Sequence, residues 1–133
     1  MKDLIYLVLV IAVGVVAIKW YTSRSVTPRT SKVKTLTAAE AKAQLDADED
    51  IVLVDVRTPE EFAKGHIPGA VCMPNETISA EAELPFGVDV KLFLYCHSGG
   101  RSAEAANKLV AMGYTDVTDF GGIIDWPDEV VTE

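Results

Sequence analysis

Two cysteines, Cys72 and Cys96, and two histidines, His66 and His97, are all that this 133-residue chain holds of those residue types. That is too few for a disulfide scaffold, and their spacing matches no zinc pattern. The expectation is therefore chemistry without a metal or a cofactor. Bases are scarce beyond residue 34. Residues 35–133 carry six Lys or Arg against nineteen Asp or Glu, a net of −13. Residues 1–34 carry six bases and only Asp3 as an acid, a net of +5, which brings the chain to −8. Non-specific nucleic-acid binding needs clustered Lys and Arg against phosphate, so the acidic part is not expected to bind nucleic acid. Its carboxylates are spread among apolar residues and read as a solvated surface. No internal repeat is present, and the length suits one domain.

One long apolar run is present. Leu4 to Ile18 contains no charge, and as a helix it spans about 23 Å. Continuing through Lys19, which can snorkel, to Trp20 and Tyr21 gives about 27 Å and places two aromatics at a membrane interface. Residues 1–21 are expected to form an N-terminal transmembrane anchor, with 4–21 as the membrane contact. Residues 22–32 are expected to be a basic juxtamembrane linker broken by Pro28, and 33–133 the domain. A cleaved signal peptide is the alternative. Against it, Asp3 offsets Lys2 at the start, and Ala17-Ile18-Lys19 is a poor cleavage site. The amino terminus and Lys2 precede the span, and five bases follow it by residue 34. The positive-inside rule then puts the domain on the cytoplasmic side of the cell membrane in a single-pass arrangement. Cleavage of the segment would instead export it.

From Val33 onward, short strands alternate with helices. Val33–Leu36 reads as a strand. Thr37-Ala38-Ala39-Glu40 is a capping box opening a helix to about Asp46. Ile51–Val54 is a β-branched run suited to a strand covered on both faces. Thr58-Pro59-Glu60-Glu61 is a second capping box, and its short helix is expected to end at a left-handed Gly65. Ala70–Met73 reads as a strand, and 75–84 as a helical turn and loop. Lys91–Tyr95 is a strand and Ser102–Met112 a helix, with Ala106, Leu109 and Met112 on one stripe. Thr115–Phe120 is a strand, Gly121-Gly122 a turn, and Ile123–Trp126 a short helix stopped by Pro127. This order predicts an α/β fold with a mainly parallel, doubly wound sheet and helices on both faces. Sites in such sheets form beyond the carboxyl ends of the strands.

Cys96 sits at such an end. It follows the apolar run Leu92-Phe93-Leu94-Tyr95 and opens the loop His97-Ser98-Gly99-Gly100-Arg101-Ser102, which runs into a helix N-terminus. Unpaired N–H groups and the helix dipole there favour thiolate over thiol. Gly99 and Gly100 permit positive φ and close backbone approach. Arg101 adds positive charge, either to bind an anionic donor or to brace the loop. Asp55 and Arg57, at the end of another strand, read as organisers of the strand-end network. Cys72 reads as a packed small residue, with a resolving thiol for Cys96 as the alternative. His66 reads as structural.

Several motifs together resemble the rhodanese family. They are Val54-Asp55-Val56-Arg57-Thr58-Pro59-Glu60-Glu61-Phe62, then Gly65-His66-Ile67-Pro68-Gly69-Ala70, then Tyr95-Cys96 with its loop to Arg101. Gly113-Tyr114 with Val117, and Gly121-Gly122-Ile123 through Trp126, complete the set. The resemblance covers roughly Val33 to Val131. It implies a rhodanese-like doubly wound domain whose catalytic Cys96 carries sulfane sulfur as a persulfide. The implied activity is that of a thiosulfate sulfurtransferase-like enzyme, passing sulfur from a donor such as thiosulfate to a thiol or cyanide acceptor. His97, Ser98, Gly99, Gly100, Arg101 and Ser102 would form the substrate-binding loop, and Asp55 and Arg57 would support it. The partners implied are a small-molecule or protein persulfide donor and a thiol acceptor, and a monomer is expected. Two rival functions stand beside this one. A tyrosine-phosphatase-type or arsenate-reductase loop has one residue more between Cys and Arg than the four found here, His97 to Gly100. The shorter ring fits a sulfur atom better than a tetrahedral phosphate. A non-catalytic binding or regulatory module at the membrane is the other rival, and the retained Cys96, glycines and Arg101 argue against it.

Overall fold

The computed structural model describes residues 32–132. The predicted anchor at residues 1–21 and the predicted linker, apart from Lys32, lie outside them. Among the described residues, no helix is long and apolar enough to cross a membrane.

Five strands build one sheet: β1 (Lys34–Thr35), β2 (Val52–Asp55), β3 (Val71–Cys72), β4 (Leu92–Cys96) and β5 (Val117–Gly122). Their spatial order is β1-β5-β4-β2-β3, and every neighbouring pair is parallel. The helices are α1 (Ala38–Ala47), α2 (Pro59–Lys64) and α3 (Gly100–Ala111), with single 3₁₀ turns at Asn75–Thr77 and Ile123–Asp125. Connections leave β2 toward β3 on one side and β4 toward β5 on the other. The carboxyl ends of β2 and β4 therefore flank the switch point where such sheets form their crevice.

Strand periodicity divides the core. Val54, Leu92, Leu94 and Cys96 face one side, with Ala105, Ala106 and Leu109 of α3. Leu53, Phe93 and Tyr95 face the other, with Ala38 and Ala41 of α1. All five residues of β4 are buried, as a central parallel strand covered on both faces requires. The stripe expected on α3 is present, with Leu109 fully buried and Met112 packed against its edge.

One local expectation holds in full, and four need correction. The first capping box forms in both directions, with Thr37 accepting from the Glu40 N–H and Glu40 accepting from the Thr37 N–H. The second forms only in part. Thr58 Oγ1 accepts from the Glu61 N–H and donates to the Glu61 carboxylate at 3.3 Å, and the same carboxylate also pairs with Arg101. Gly65 ends α2 at φ 155° and ψ 130°, outside the left-handed helical region. α3 begins two residues before Ser102, and β5 continues through the glycine pair that reads as a turn.

Candidate active site

Cys96 ends β4 and is buried. The ladder between β4 and β5 slips after Leu94, so Cys96 stands opposite Gly122. The chain then turns sharply through His97 and Ser98, both exposed, to Gly99 at φ 120°. Gly99 caps α3 with no side chain, which leaves first-turn N–H groups available to an anion. The Gly99 N–H donates to Cys96 Sγ at 3.0 Å.

Ser102 lies on the first turn of α3, fully buried, with Oγ 3.5 Å from Cys96 Sγ. The same hydroxyl reaches Gly99 O at 3.0 Å and Gly121 O at 3.2 Å. It has one hydrogen, which serves one acceptor at a time. The thiol can donate to Ser102, and after deprotonation the hydroxyl can turn and donate to sulfur. Burial pushes the Cys96 thiol up. Hydrogen bonds from the Ser102 hydroxyl and from the Ser102, Gly99 and Ser98 amides outweigh it, so the net direction is below the ordinary thiol value. A stabilised thiolate in a ring of amides is a nucleophile whose negative product the same ring can hold.

Arg101 is fixed by Glu61 of α2 in a two-pronged ion pair at 2.6 and 3.0 Å. Of the two roles left open by sequence, the geometry shows bracing. Arg101 ties the Cys96 loop to α2, and its hydrogen bond to Glu61 holds that carboxyl down to about 2. Glu61 is a site residue that sequence reasoning missed, since its capping-box position already accounted for it. Gly122 is the second. A Cβ there would collide with the His97 carbonyl oxygen and come within 2.6 Å of Ser98 Cα. The signal was a glycine pair at a strand end, which marks close backbone approach as well as a turn.

Asp55 and Arg57 form a buried pair at the neighbouring strand end. Arg57 Nε lies 3.0 Å from Asp55 Oδ1, and one terminal nitrogen donates to Asp55 at 2.7 Å and to Gly65 O at 2.6 Å. Its guanidinium also lies 5.8 Å from the Tyr95 ring centre. Among the described residues, none of these bonds reaches the Cys96 loop, so the pair supports the crevice wall from within. His66 is buried, stacks on Phe62 at 3.7 Å and meets Phe62 O through Nδ1 at 2.8 Å. Cys72 stands beside Asp55 on β3, two strand spacings from β4. Two spacings are roughly 10 Å, beyond the Cα separation a disulfide spans. No hydrogen bond joins the His97 ring or the Ser98 hydroxyl to Cys96 among the described residues, and no group of three or more His, Cys, Asp or Glu is placed there to hold a metal ion.

Fold and site together define a doubly wound α/β domain with an activated cysteine cradled by backbone amides at its switch point. The chain belongs to the rhodanese-like domain family, whose model matches residues 37–129. It is similar to a sulfurtransferase of Allochromatium vinosum, 44% identical over 91 residues that cover 66% of this chain and 83% of the relative. It is also similar to the thiosulfate sulfurtransferase GlpE of Pseudoalteromonas translucida, 34% identical over 94 residues, 70% of this chain and 88% of that protein. Among solved structures, a rhodanese-like domain protein from Staphylococcus aureus superposes with a TM-score of 0.67 at 34% identity, covering 76% of this chain and 99% of that one.

Proposed function

We propose that the protein is a sulfurtransferase that carries sulfane sulfur as a persulfide on Cys96. The Cys96 thiolate attacks the outer sulfur of a donor such as thiosulfate, the donor named for the GlpE relative. A bond forms between Sγ and that sulfur, and the donor's S–S bond breaks. With thiosulfate, the electron pair leaves on sulfite. A thiol or cyanide acceptor then removes the outer sulfur and restores the thiolate, giving double-displacement kinetics.

The observation that carries this reading is the amide cradle, with the Gly99 N–H on Sγ at 3.0 Å inside a loop only four residues long before Arg101. Intact-mass measurement after donor treatment tests it. The expected result is a gain of one sulfur atom that cyanide removes and that Cys96→Ala never shows. Hydrolysis of an aryl phosphate without any sulfur adduct would instead assign phosphatase chemistry, and neither reaction would leave a binding module.

The reading extends to location. Residues 4–21 hold the protein at the cell membrane in a single pass, with the catalytic domain, a monomer, on the cytoplasmic side. Supporting it are the uncharged run and the excess of bases after it. An impermeant thiol reagent that labelled Cys96 from outside intact cells would overturn this orientation.

A further inference from the structure

A trough runs beside the C-terminal segment, against α1. Two hollows form it. The first, about 430 Å³, is lined in part by Trp126, Asp128 and Glu129, and the second, about 670 Å³, by Val130, Val131 and Thr132. Pro68 and Gly69 border both, so the hollows adjoin. Successive residues of one segment thus line successive hollows, and the trough follows that segment. Three contacts hold the segment in place. Trp126 packs on Phe120 with ring centres 5.9 Å apart, and Asp128 meets Lys42 of α1 at 3.5 Å. Val131 exchanges two backbone hydrogen bonds of 2.8 Å with His66.

The two ends differ in chemistry. Ile51, Leu53 and Ile67 give the first hollow a buried apolar floor. Its lining also carries five carboxylates, Asp46, Asp48, Glu49, Asp128 and Glu129, against one lysine, Lys42. Lys42 is spent on Asp46 and Asp128, and Lys91 pairs with Asp48. Glu49 and Glu129 are exposed and have no ion-pair partner among the described residues. Carboxylates gathered around an apolar floor repel one another and draw in a cation. The Trp126 indole N–H, in the same hollow, is buried and has no acceptor among the described residues. A buried donor is normally paired, and a peptide carbonyl is the kind of group it lacks. At the other end, Val130 and Val131 leave aliphatic surface exposed beside Pro68 and Ala70.

We propose that this trough is a docking site for an extended peptide segment of a partner protein. The segment carries arginine or lysine at the carboxylate end and an aliphatic side chain at the Val130–Val131 end. Charge complementarity selects it, since Glu49 and Glu129 repel an acidic segment and gain nothing from an apolar one. The site is separate from the sulfur chemistry. Asp48 and Glu49 precede β2, and Pro68 and Gly69 precede β3, so the trough lies toward the amino end of the sheet. Cys96 ends β4 at the opposite end, and its loop lines neither hollow. A docked partner therefore leaves the cysteine open.

The probe is an acetylated and amidated octapeptide of alternating arginine and valine, titrated into the isotopically labelled full-length protein in a zwitterionic detergent. Two tryptophans, Trp20 and Trp126, give indole N–H resonances, and Trp126→Phe assigns them. The Trp126 resonance should move in a saturable way at low salt, and affinity should fall about tenfold at physiological ionic strength. Glu49→Gln combined with Glu129→Gln should weaken binding about tenfold. Alkylation of Cys96 by iodoacetamide should be unchanged at saturating peptide. Equal binding by a glutamate–valine peptide would overturn the role of the carboxylates, and equal binding by an arginine–glycine peptide that of the apolar end. An unmoved Trp126 resonance, or protection of Cys96, would overturn the placement in the trough. A shift of the Trp126 resonance without peptide, on changing Arg24, Arg29 and Lys32 to glutamine, would assign the trough to this chain's own N-terminal segment and overturn the partner.

Discussion

Gly122→Ala should cost most of the activity while leaving most of the fold. The Cβ it adds would press on the His97 carbonyl oxygen and lie 2.6 Å from Ser98 Cα, where ordinary contacts begin at 3.4 Å. Both neighbours are backbone, so no side chain can swing aside. Relief requires the loop to retreat by about 0.8 Å or more, on the scale of misplacements that cost catalysis dearly. The Gly99 N–H, now 3.0 Å from Sγ, would then move beyond good hydrogen-bond distance. Weakened support for the thiolate and a misplaced cradle together should lower kcat/KM about a hundredfold. Crowding of this kind costs about 1–3 kcal/mol of stability, which a domain of this size can absorb. Gly121→Ala is the control. It sits at φ 90° and would be strained, but its Cβ meets nothing within 4 Å. Initial rates of thiocyanate formation, taken alongside thermal melting, separate the two. Both variants should melt at lower temperature, and only Gly122→Ala should lose transfer out of proportion to its melting temperature. Transfer by Gly122→Ala within about twofold of the parent, against the hundredfold expected, would refute the claim that this contact sets the loop.

Other perturbations probe different links. Ser102→Ala removes the Ser102 hydrogen bond to Sγ, so the Cys96 titration should move upward. The pH profile of iodoacetamide alkylation reads this directly, and an unmoved profile would mean that the amides alone hold the thiolate. Arg57→Met strands a fully buried Asp55 carboxylate and should cost about 3–5 kcal/mol in urea denaturation. A loss below about 1 kcal/mol would show that the pair is not needed to offset burial. The Glu61 carboxyl is held at about 2 in the fold against an ordinary 4.5, so its contribution is present above pH 4.5 and is lost as pH falls toward 2. With each partner about one-third exposed, solvent screening limits that contribution to about 1 kcal/mol. Glu61→Gln should remove this part of the acid-induced loss, and an unchanged acid limb would show that the brace contributes no stability.

The parts of this molecule that were legible in the sequence are those written in consecutive residues. Ile51–Val54 and Leu92–Tyr95 announce buried strands by composition, and Thr37 announces its helix through a residue three positions on. Cys96 could be singled out because strand end, glycines and helix start all fall within a few positions of it. What escaped is what the sheet assembles from distant segments. Arg101 meets Glu61 across forty positions, and the clash waiting at Gly122 involves a loop more than twenty positions earlier. In each case a local explanation was already at hand: a capping box for Glu61 and a turn for Gly122. Local and tertiary roles compete for the same side chain, as the unfinished capping box at Thr58 shows. The Glu61 carboxylate keeps the Thr58 hydroxyl at 3.3 Å and adds a charged pair to Arg101. That double use turns the N-terminus of a six-residue helix into the brace of the cysteine loop.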